Sequence, residues 1–433
     1  MDNSQILSGW QPALPYNALS CRYCEIGTKG RNRQSFEKHL CEAVQRRLAP
    51  VFGELKFIFE HGRIFITAKC GGTFDQTHLA FLRRQIPALP GISSLSPGFL
   101  LPRNAEALHT CITAHFPAVL AAFSAAVPPG GQRTYTMRVN RSDKHFPLHS
   151  EELERAYAKE LLPGSGLQID LNHGNLRIDV DIRRNHIFVD FERIPGAGGL
   201  PTGSSGAVLG LLSGGFDSPV ACYEMMRRGC NVDFITFHSA PYTPPATLTK
   251  VCNLAVRLNE YQKRGRLVAV NLLPLQKAVR DSCSEKNRTV LYRRAMVRLA
   301  SHVAAHFHDE ALVTGDNLGQ VASQTLRNMD LINRASPVLI LRPLLTFDKL
   351  DIIAKADEIG TRAISEEQVP DSCTVFAPSS PATRAQLFAV EADEARLDLP
   401  ALLRQCLAGT VIMNAATYAE YPFAELLDEP LKI

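Results

Sequence analysis

The chain has 433 residues, 45% hydrophobic and 21% charged, with a formal net charge of +4, an ordinary globular composition at a length that accommodates about three domains. No apolar run approaches the ~20 residues of a membrane span. The opening Met1-Asp2-Asn3-Ser4 lacks the basic-then-apolar pattern of a secretory signal, so a cytoplasmic protein with no membrane partner is expected.

Eleven cysteines are scattered without a dense spacing pattern, which fits reduced thiols rather than a disulfide framework. Cys21 and Cys24 form a C-x-x-C with no second pair at zinc spacing, so no metal site is assigned there. Charge is uneven. Residues 1–150 carry seventeen Lys and Arg against nine Asp and Glu, a net of +8, and the remainder nets −4. The first third is therefore the natural face for a polyanion, with a merely basic surface as the competing reading.

In chain order, a first block over 15–75 opens with Arg22 to Gly27 and the basic run Lys29-Gly30-Arg31-Asn32-Arg33. A helical pattern over 35–48 and a hairpin-like pair, 55–59 and 63–66, follow, as expected of a small α+β unit. A second block, 76–195, begins with helical stretches broken at Pro128-Pro129-Gly130-Gly131. It continues through a strand at 135–139, the segment Arg141-Ser142-Asp143-Lys144, a charged helix over 150–162 and strands at 176–182 and 187–191. The glycine-rich stretch 195–203 reads as a linker. The third block, 204–400, alternates apolar strands at 207–212, 232–237, 267–272, 311–314 and 338–341 with helical patterns, notably 290–307. That alternation predicts a parallel, doubly wound sheet, which binds ligands at the C-terminal ends of its strands. Residues 401–433 are left as a tail without an assigned role.

The most informative stretch is Leu211-Leu212-Ser213-Gly214-Gly215-Phe216-Asp217-Ser218, which joins the first of these strands to a helix. Free backbone N–H groups and the positive helix end suit an anion there. Gly214 and Gly215 permit close backbone approach, and Ser213 and Ser218 add hydroxyls. Asp217 would repel phosphate unless a cation bridges the two, which predicts Mg2+. The stretch matches neither a Walker loop nor a dinucleotide fingerprint. Near the end of the long helix, His302, His306, His308 and Asp309 cluster. Histidines at a helix C-terminus explain them more simply than a metal does.

Residues 213–218 resemble the PP-loop of ATP pyrophosphatases. Four further segments narrow the likeness: 313–325, from Val313-Thr314-Gly315-Asp316 to Gln324-Thr325; Leu341-Arg342-Pro343-Leu344 with Asp348-Lys349; 141–147; and 25–33. Together these five ordered motifs resemble the tRNA sulfurtransferase family, which makes 4-thiouridine, over about residues 20–385. The resemblance implies a PP-loop ATP pyrophosphatase domain with a doubly wound parallel sheet, preceded by ferredoxin-like and THUMP α+β domains that hold tRNA. It implies ATP contacts at Leu211, Leu212, Ser213, Gly214, Gly215, Ser218, Thr236, Phe237, Arg293, Gly315 and Gln324. Asp217 would position Mg2+ or the reacting geometry, Lys349 would stabilise developing charge, and Cys373 would be the thiol that handles sulfur. Lys29, Arg31, Arg33, Arg138, Arg141 and Lys144 are the expected RNA contacts.

The implied reaction adenylates uridine 8 of tRNA at O4, so that AMP leaves when sulfur attacks C4. Many family members carry a C-terminal rhodanese domain whose cysteine bears the persulfide, and too few residues follow the resemblance here to form one. A cysteine desulfurase or a separate rhodanese is therefore the expected donor, and the family's thiamine-thiazole role is in question for the same reason. The family often forms a homodimer. Two other readings stay open: a PP-loop enzyme adenylating a different RNA base or a small molecule, and a non-catalytic RNA-binding protein.

Overall fold

The computed structural model describes residues 11–60, 62–370 and 375–428. Two compact units form, one up to Gly199 and one from Leu200 onward.

In the first unit the strands are β1 (Ala18–Arg22), β2 (Leu55–Glu60), β3 (Arg63–Ala68), β4 (Ser94–Pro102), β5 (Thr134–Arg141), β6 (Gln168–Ile169), β7 (Leu176–Ile182), β8 (His186–Asp190) and β9 (Ile194–Pro195). Among the described residues they make one sheet in the order β2-β3-β1-β4-β8-β7-β5-β6, with β9 also on β4. Strand β4 pairs antiparallel with both β1 and β8, so the sheet runs unbroken across residue 75. The helices are α1 (Arg33–Phe52), α2 (Gln76–Gln85), α3 (Ala105–Ala126) and α4 (Ser150–Leu161). Each buries one stripe at helical spacing. For α1 that stripe is Leu40, Ala43, Val44, Leu48 and Phe52, the period that turns one face inward.

Helix α3 revises the hydropathy expectation. Its 22 residues are long and apolar enough to cross a membrane by length and composition. In the fold its stripe Leu108, Cys111, Ile112, Phe116, Val119 and Phe123 is buried in the core of the unit.

The second unit carries β10 (Ala207–Leu211), β11 (Asn231–His238), β12 (Leu267–Asn271), β13 (Ala311–Val313), β14 (Leu339–Leu341), β15 (Val411–Met413) and β16 (Glu420–Pro422). Their order is β14-β13-β10-β11-β12-β15-β16. The first five are parallel, and β15 and β16 extend the β12 edge antiparallel. The fold is thus α/β with a parallel core sheet, as the strand spacing predicts. The helices are α5 (Asp217–Arg227), α6 (Pro245–Leu258), α7 (Leu273–Ser282), α8 (Arg288–Phe307), α9 (Leu326–Asn333), α10 (Lys349–Glu358), α11 (Arg362–Ser365), α12 (Leu387–Glu394) and α13 (Leu399–Ala408). Helix α8 is buried along most of its length, as a central helix requires.

The chain after residue 400 folds back onto this unit. Cys406 and Leu407 of α13 and Leu426 enter the same core as α8. The histidine cluster is absorbed there: His302 Nε2 lies 2.7 Å from the Leu426 carbonyl, and the His306 ring packs edge-on against Phe423. His308 ends α8 in the left-handed region, at φ 62°.

Candidate active site

Strand order reverses at β10. The chain moves to β11 and β12 on one side, then returns to β13 and β14 on the other. A crevice opens at the C-terminal ends of the strands on either side of such a switch point. A cavity of about 740 Å3 occupies that position, lined by residues 211–218, 235–237, 314–316 and 321–324 together with Arg293 and the strap 365–370.

The loop after β10 is braced internally. Ser218 Oγ accepts from the Ser213 amide at 2.8 Å and lies 3.0 Å from Ser213 Oγ. Ser218 is buried and holds the bend, whereas Ser213 lies at the cavity with part of its surface open. Helix α5 starts at Asp217, with Pro219 in its first turn, where a missing N–H costs nothing. The amide-rich N-terminus of α5 therefore faces the cavity. Loop 314–316 packs directly over this turn: a Cβ on Gly315 would stand 2.7 Å from the Ser218 nitrogen. Only glycine permits that approach.

Asp217 stands at the rim. Its Oδ1 lies 2.6 Å from Lys349 Nζ, and its Oδ2 accepts from Gln320 Nε2 at 3.1 Å. Lys349 opens α10 and would oppose its dipole; the carboxylate of Asp217 offsets that. Asp217 and Lys349, 132 positions apart in the sequence, meet through this bond.

Arg293, on α8, lines the cavity and is oriented by Asp316, which lines it too. Asp316 is buried and gathers Arg293 Nη2 at 2.5 Å, Thr314 Oγ1 at 2.8 Å and Arg342 Nε at 3.3 Å. Burial pushes its carboxyl up, but Arg293, Thr314 and Arg342 outweigh that and hold it below the ordinary carboxylate value. Arg293 Nε and Gln324 Oε1 are buried with no hydrogen-bond partner among the described residues. An orphaned donor and an orphaned acceptor beside a cavity are the polar groups a ligand would satisfy. Thr236 and Phe237, ending β11, line the same cavity, as do Leu211 and Leu212.

Lys250 escapes the reading of the sequence. It is buried on α6, and its side chain passes 3.1–3.4 Å from where a Gly214 Cβ would lie. Its Nζ donates to the carbonyls of Ser365 at 3.0 Å and Glu367 at 2.8 Å. Ser365 Oγ donates to the Gly215 carbonyl at 3.3 Å, and Thr247 Oγ1 to that of Pro370 at 2.9 Å. The strap is thereby tied to loop 213–218 and to α6 as far as Pro370. Cys373 lies outside the described residues.

The basic residues of the first unit divide. Arg33 is spent on Glu37 at 2.7 Å and the Tyr23 hydroxyl at 2.9 Å, and Arg141 on the carbonyls of Phe146 and Leu148. Arg31, Arg138 and Lys144 are exposed, and half-buried Lys29 lies 5.2 Å from the Phe36 ring centroid. The 29–33 run follows β1 and the 138–144 group belongs to β5, four strand positions away, roughly 19 Å at sheet spacing. They form two patches rather than one. Among the described residues no group of three or more His, Cys, Asp or Glu is arranged to hold a metal ion.

The second unit matches the family model described as "Thiamine biosynthesis protein (ThiI)" over residues 203–399. The first matches the "ThiI ferredoxin-like domain" over 18–96 and the "THUMP domain" over 116–190. A "Probable tRNA sulfurtransferase" of Moorella thermoacetica is 37% identical over 94% of this chain and 99% of its own. One of Brevibacillus brevis is 36% identical over 93% and 98%. Among solved structures, a 4-thiouridine synthetase–RNA complex with bound ATP is 32% identical, with a TM-score of 0.78, covering 92% of this chain and 99% of that one.

Proposed function

This chain belongs to the tRNA sulfurtransferase family, and from that premise we propose that the cavity binds ATP and uses it to exchange oxygen for sulfur on a tRNA uridine. The substrate is uridine 8. Its O4 attacks the α-phosphate, releasing pyrophosphate, and the adenylated oxygen leaves as AMP when sulfur attacks C4. The product is 4-thiouridine. Sulfur arrives as a persulfide from a partner, a cysteine desulfurase or a rhodanese; its outer sulfur bonds C4 as AMP leaves, and the Cys373 thiolate then attacks the S–S bond of that adduct, releasing 4-thiouridine and closing a disulfide with the donor cysteine that a thiol reductant reopens.

The observation that carries this reading is the meeting of the braced loop 213–218, the Gly315 loop and Arg293 around one cavity. The α5 N-terminus and the amides of 214–216 suit the phosphates. The unpartnered Gln324 Oε1 suits the adenine amino group. Lys349, 43% exposed beside Asp217, is the cation available to stabilise negative charge growing on the reacting phosphate. Asp217 holds Lys349 in place until substrate arrives.

The donor set fits Mg2+ only in its phosphate-held mode, in which one protein carboxylate suffices. Asp217 is that carboxylate, since Asp316 is enclosed by two arginines. When bound, the ion would supply charge neutralisation to the leaving pyrophosphate.

The test is a reconstitution with tRNA, ATP, Mg2+ and a persulfide donor, read by the near-ultraviolet absorption of thiouridine. Wild type forms product. Lys349→Met lowers the rate by at least about 100-fold, with an unchanged melting temperature because the pair is partly exposed. Cys373→Ala loses sulfur transfer yet still releases pyrophosphate in an RNA-dependent way. Absence of ATP-dependent product from wild type, or full activity in Lys349→Met, would refute the assignment.

A further inference from the structure

Beside the cavity mouth, two aromatic rings and two cations stand together without a role in the chemistry above. Tyr242, in the loop after β11, is 52% exposed. Its ring centroid lies 5.3 Å from that of Phe376, with the planes inclined at 60°. Lys277 Nζ stands 5.6 Å from the Tyr242 centroid, and the Arg280 guanidinium 4.6 Å from that of Phe376. These two cations occupy one face of α7, three residues apart, where helical spacing makes them neighbours. Arg280 is held by Asp281 at 2.7 Å, which orients its guanidinium. Phe376 adopts φ 56°, a left-handed backbone conformation that a non-glycine residue takes only against its preference. The neighbouring Ala377 lines the cavity.

We infer that Tyr242 and Phe376, with Lys277 and Arg280, form a stacking platform for the uridine base that the RNA presents to the cavity. The inference rests on the reading above that RNA is the substrate, and it names how the base is held. A base inside an RNA stack does not expose C4 to an ATP pocket, so it must be extruded, and lost stacking must be replaced. An open aromatic face supplies that replacement, and flanking cations meet the phosphates on either side of the extruded nucleotide. Packed apolar cores bury such rings; here half of Tyr242 is left to solvent, with the Lys277 ammonium over its ring at 5.6 Å. Phe376 is half-buried, with the Arg280 guanidinium over its ring, and its left-handed backbone sets that ring beside Tyr242.

The test uses an RNA already bearing 4-thiouridine, whose thiocarbonyl is photoreactive. Irradiation of its complex with the wild-type chain is expected to cross-link a peptide containing Tyr242 or Phe376. In turnover assays, Tyr242→Ala and Phe376→Leu should raise the RNA KM by about 5- to 150-fold, the range for loss of one stacked base. The ATP KM should stay within twofold, and Tyr242→Trp should restore RNA KM. A cross-link confined to other peptides overturns the platform. So does an unchanged RNA KM in both variants, including the case in which only the KM for a persulfide-donor protein rises. Cross-linking needs no turnover, so a wild type that binds RNA but makes no thiouridine would refute the reaction while still reading the platform.

Discussion

Asp316→Asn is the most informative perturbation, because one carboxylate both neutralises two guanidinium groups and orients one of them, Arg293, at the cavity. Its 4%-exposed side chain bonds Arg293 at 2.5 Å, Thr314 at 2.8 Å and Arg342 at 3.3 Å. Asparagine keeps one acceptor oxygen and removes the charge. Breaking a buried ion pair on one side costs about 3–5 kcal/mol, chiefly because the remaining charge is left uncompensated. Arg293 retains a quarter of its side-chain exposure and Arg342 about a seventh, so partial rehydration puts the loss near the lower figure, about 3 kcal/mol. On the proposed role of Arg293 as a phosphate ligand, loss of its oriented, charge-assisted hydrogen bond should lower ATP affinity by about tenfold or more.

A double-mutant cycle with Arg293→Met separates the two effects. If the uncompensated guanidinium dominates, Asp316→Asn/Arg293→Met regains part of the stability while ATP binding stays weak. Urea melts followed by circular dichroism and ATP titration calorimetry are the assays. The pH dependence follows from the depressed carboxyl. Its contribution is fully present above the unfolded carboxylate value near 4 and is lost as pH falls through the lower folded value. The gap between wild type and Asp316→Asn should therefore be widest at neutral pH and shrink below about pH 4. Equal stability and equal ATP affinity for Asp316→Asn at pH 7 would refute this account of the site.

Two further substitutions probe other parts of the same unit. Gly315→Ala sets a methyl 2.7 Å from the Ser218 nitrogen and 2.8 Å from the Asp217 carbonyl carbon; the overpacking should cost about 1–3 kcal/mol and weaken ATP binding, and calorimetry showing wild-type affinity would contradict the close approach of the two loops. Asp309→Asn should act in the opposite direction. Burial and the nearby Asp233 push the Asp309 carboxyl up to about 7, and neither oxygen has a hydrogen-bond partner among the described residues. A raised acid is increasingly unfavourable as pH climbs from about 4 to about 7. The substitution should therefore stabilise by about 2 kcal/mol at pH 8 and by nothing measurable at pH 4; a stability difference independent of pH would refute it.

The parallel sheet was legible because each of its central strands is buried on both faces and so reads as a short, continuous apolar run between helical patterns. Strand β4 was not legible, because Pro97 and Gly98 interrupt it and such residues argue against a central strand. The fold shows why Gly98 is there: a Cβ would strike the Phe188 ring and the Val189 carbonyl 2.4 Å away. Strand β15 was missed because, unlike the equally short β13 and β14, it lies beyond the strand–helix alternation, and its position is set by pairing with the edge of β12.

The site divides on the same physical line. Loop 213–218 is contiguous, so its chemistry and its geometry are encoded together and can be read as one word. Asp316 and Lys250 act through partners 23 and 115 residues away, and nothing local distinguishes them from a surface acid and a surface lysine. What separates them is burial, which is a property of the folded chain. A buried charge must be matched by an opposing group or by aligned dipoles. Once the fold encloses Asp316 and Lys250, the identities of their partners become constraints on the site. The arginines around Asp316 are then the reason that a buried acid can stand in the wall of this cavity at all.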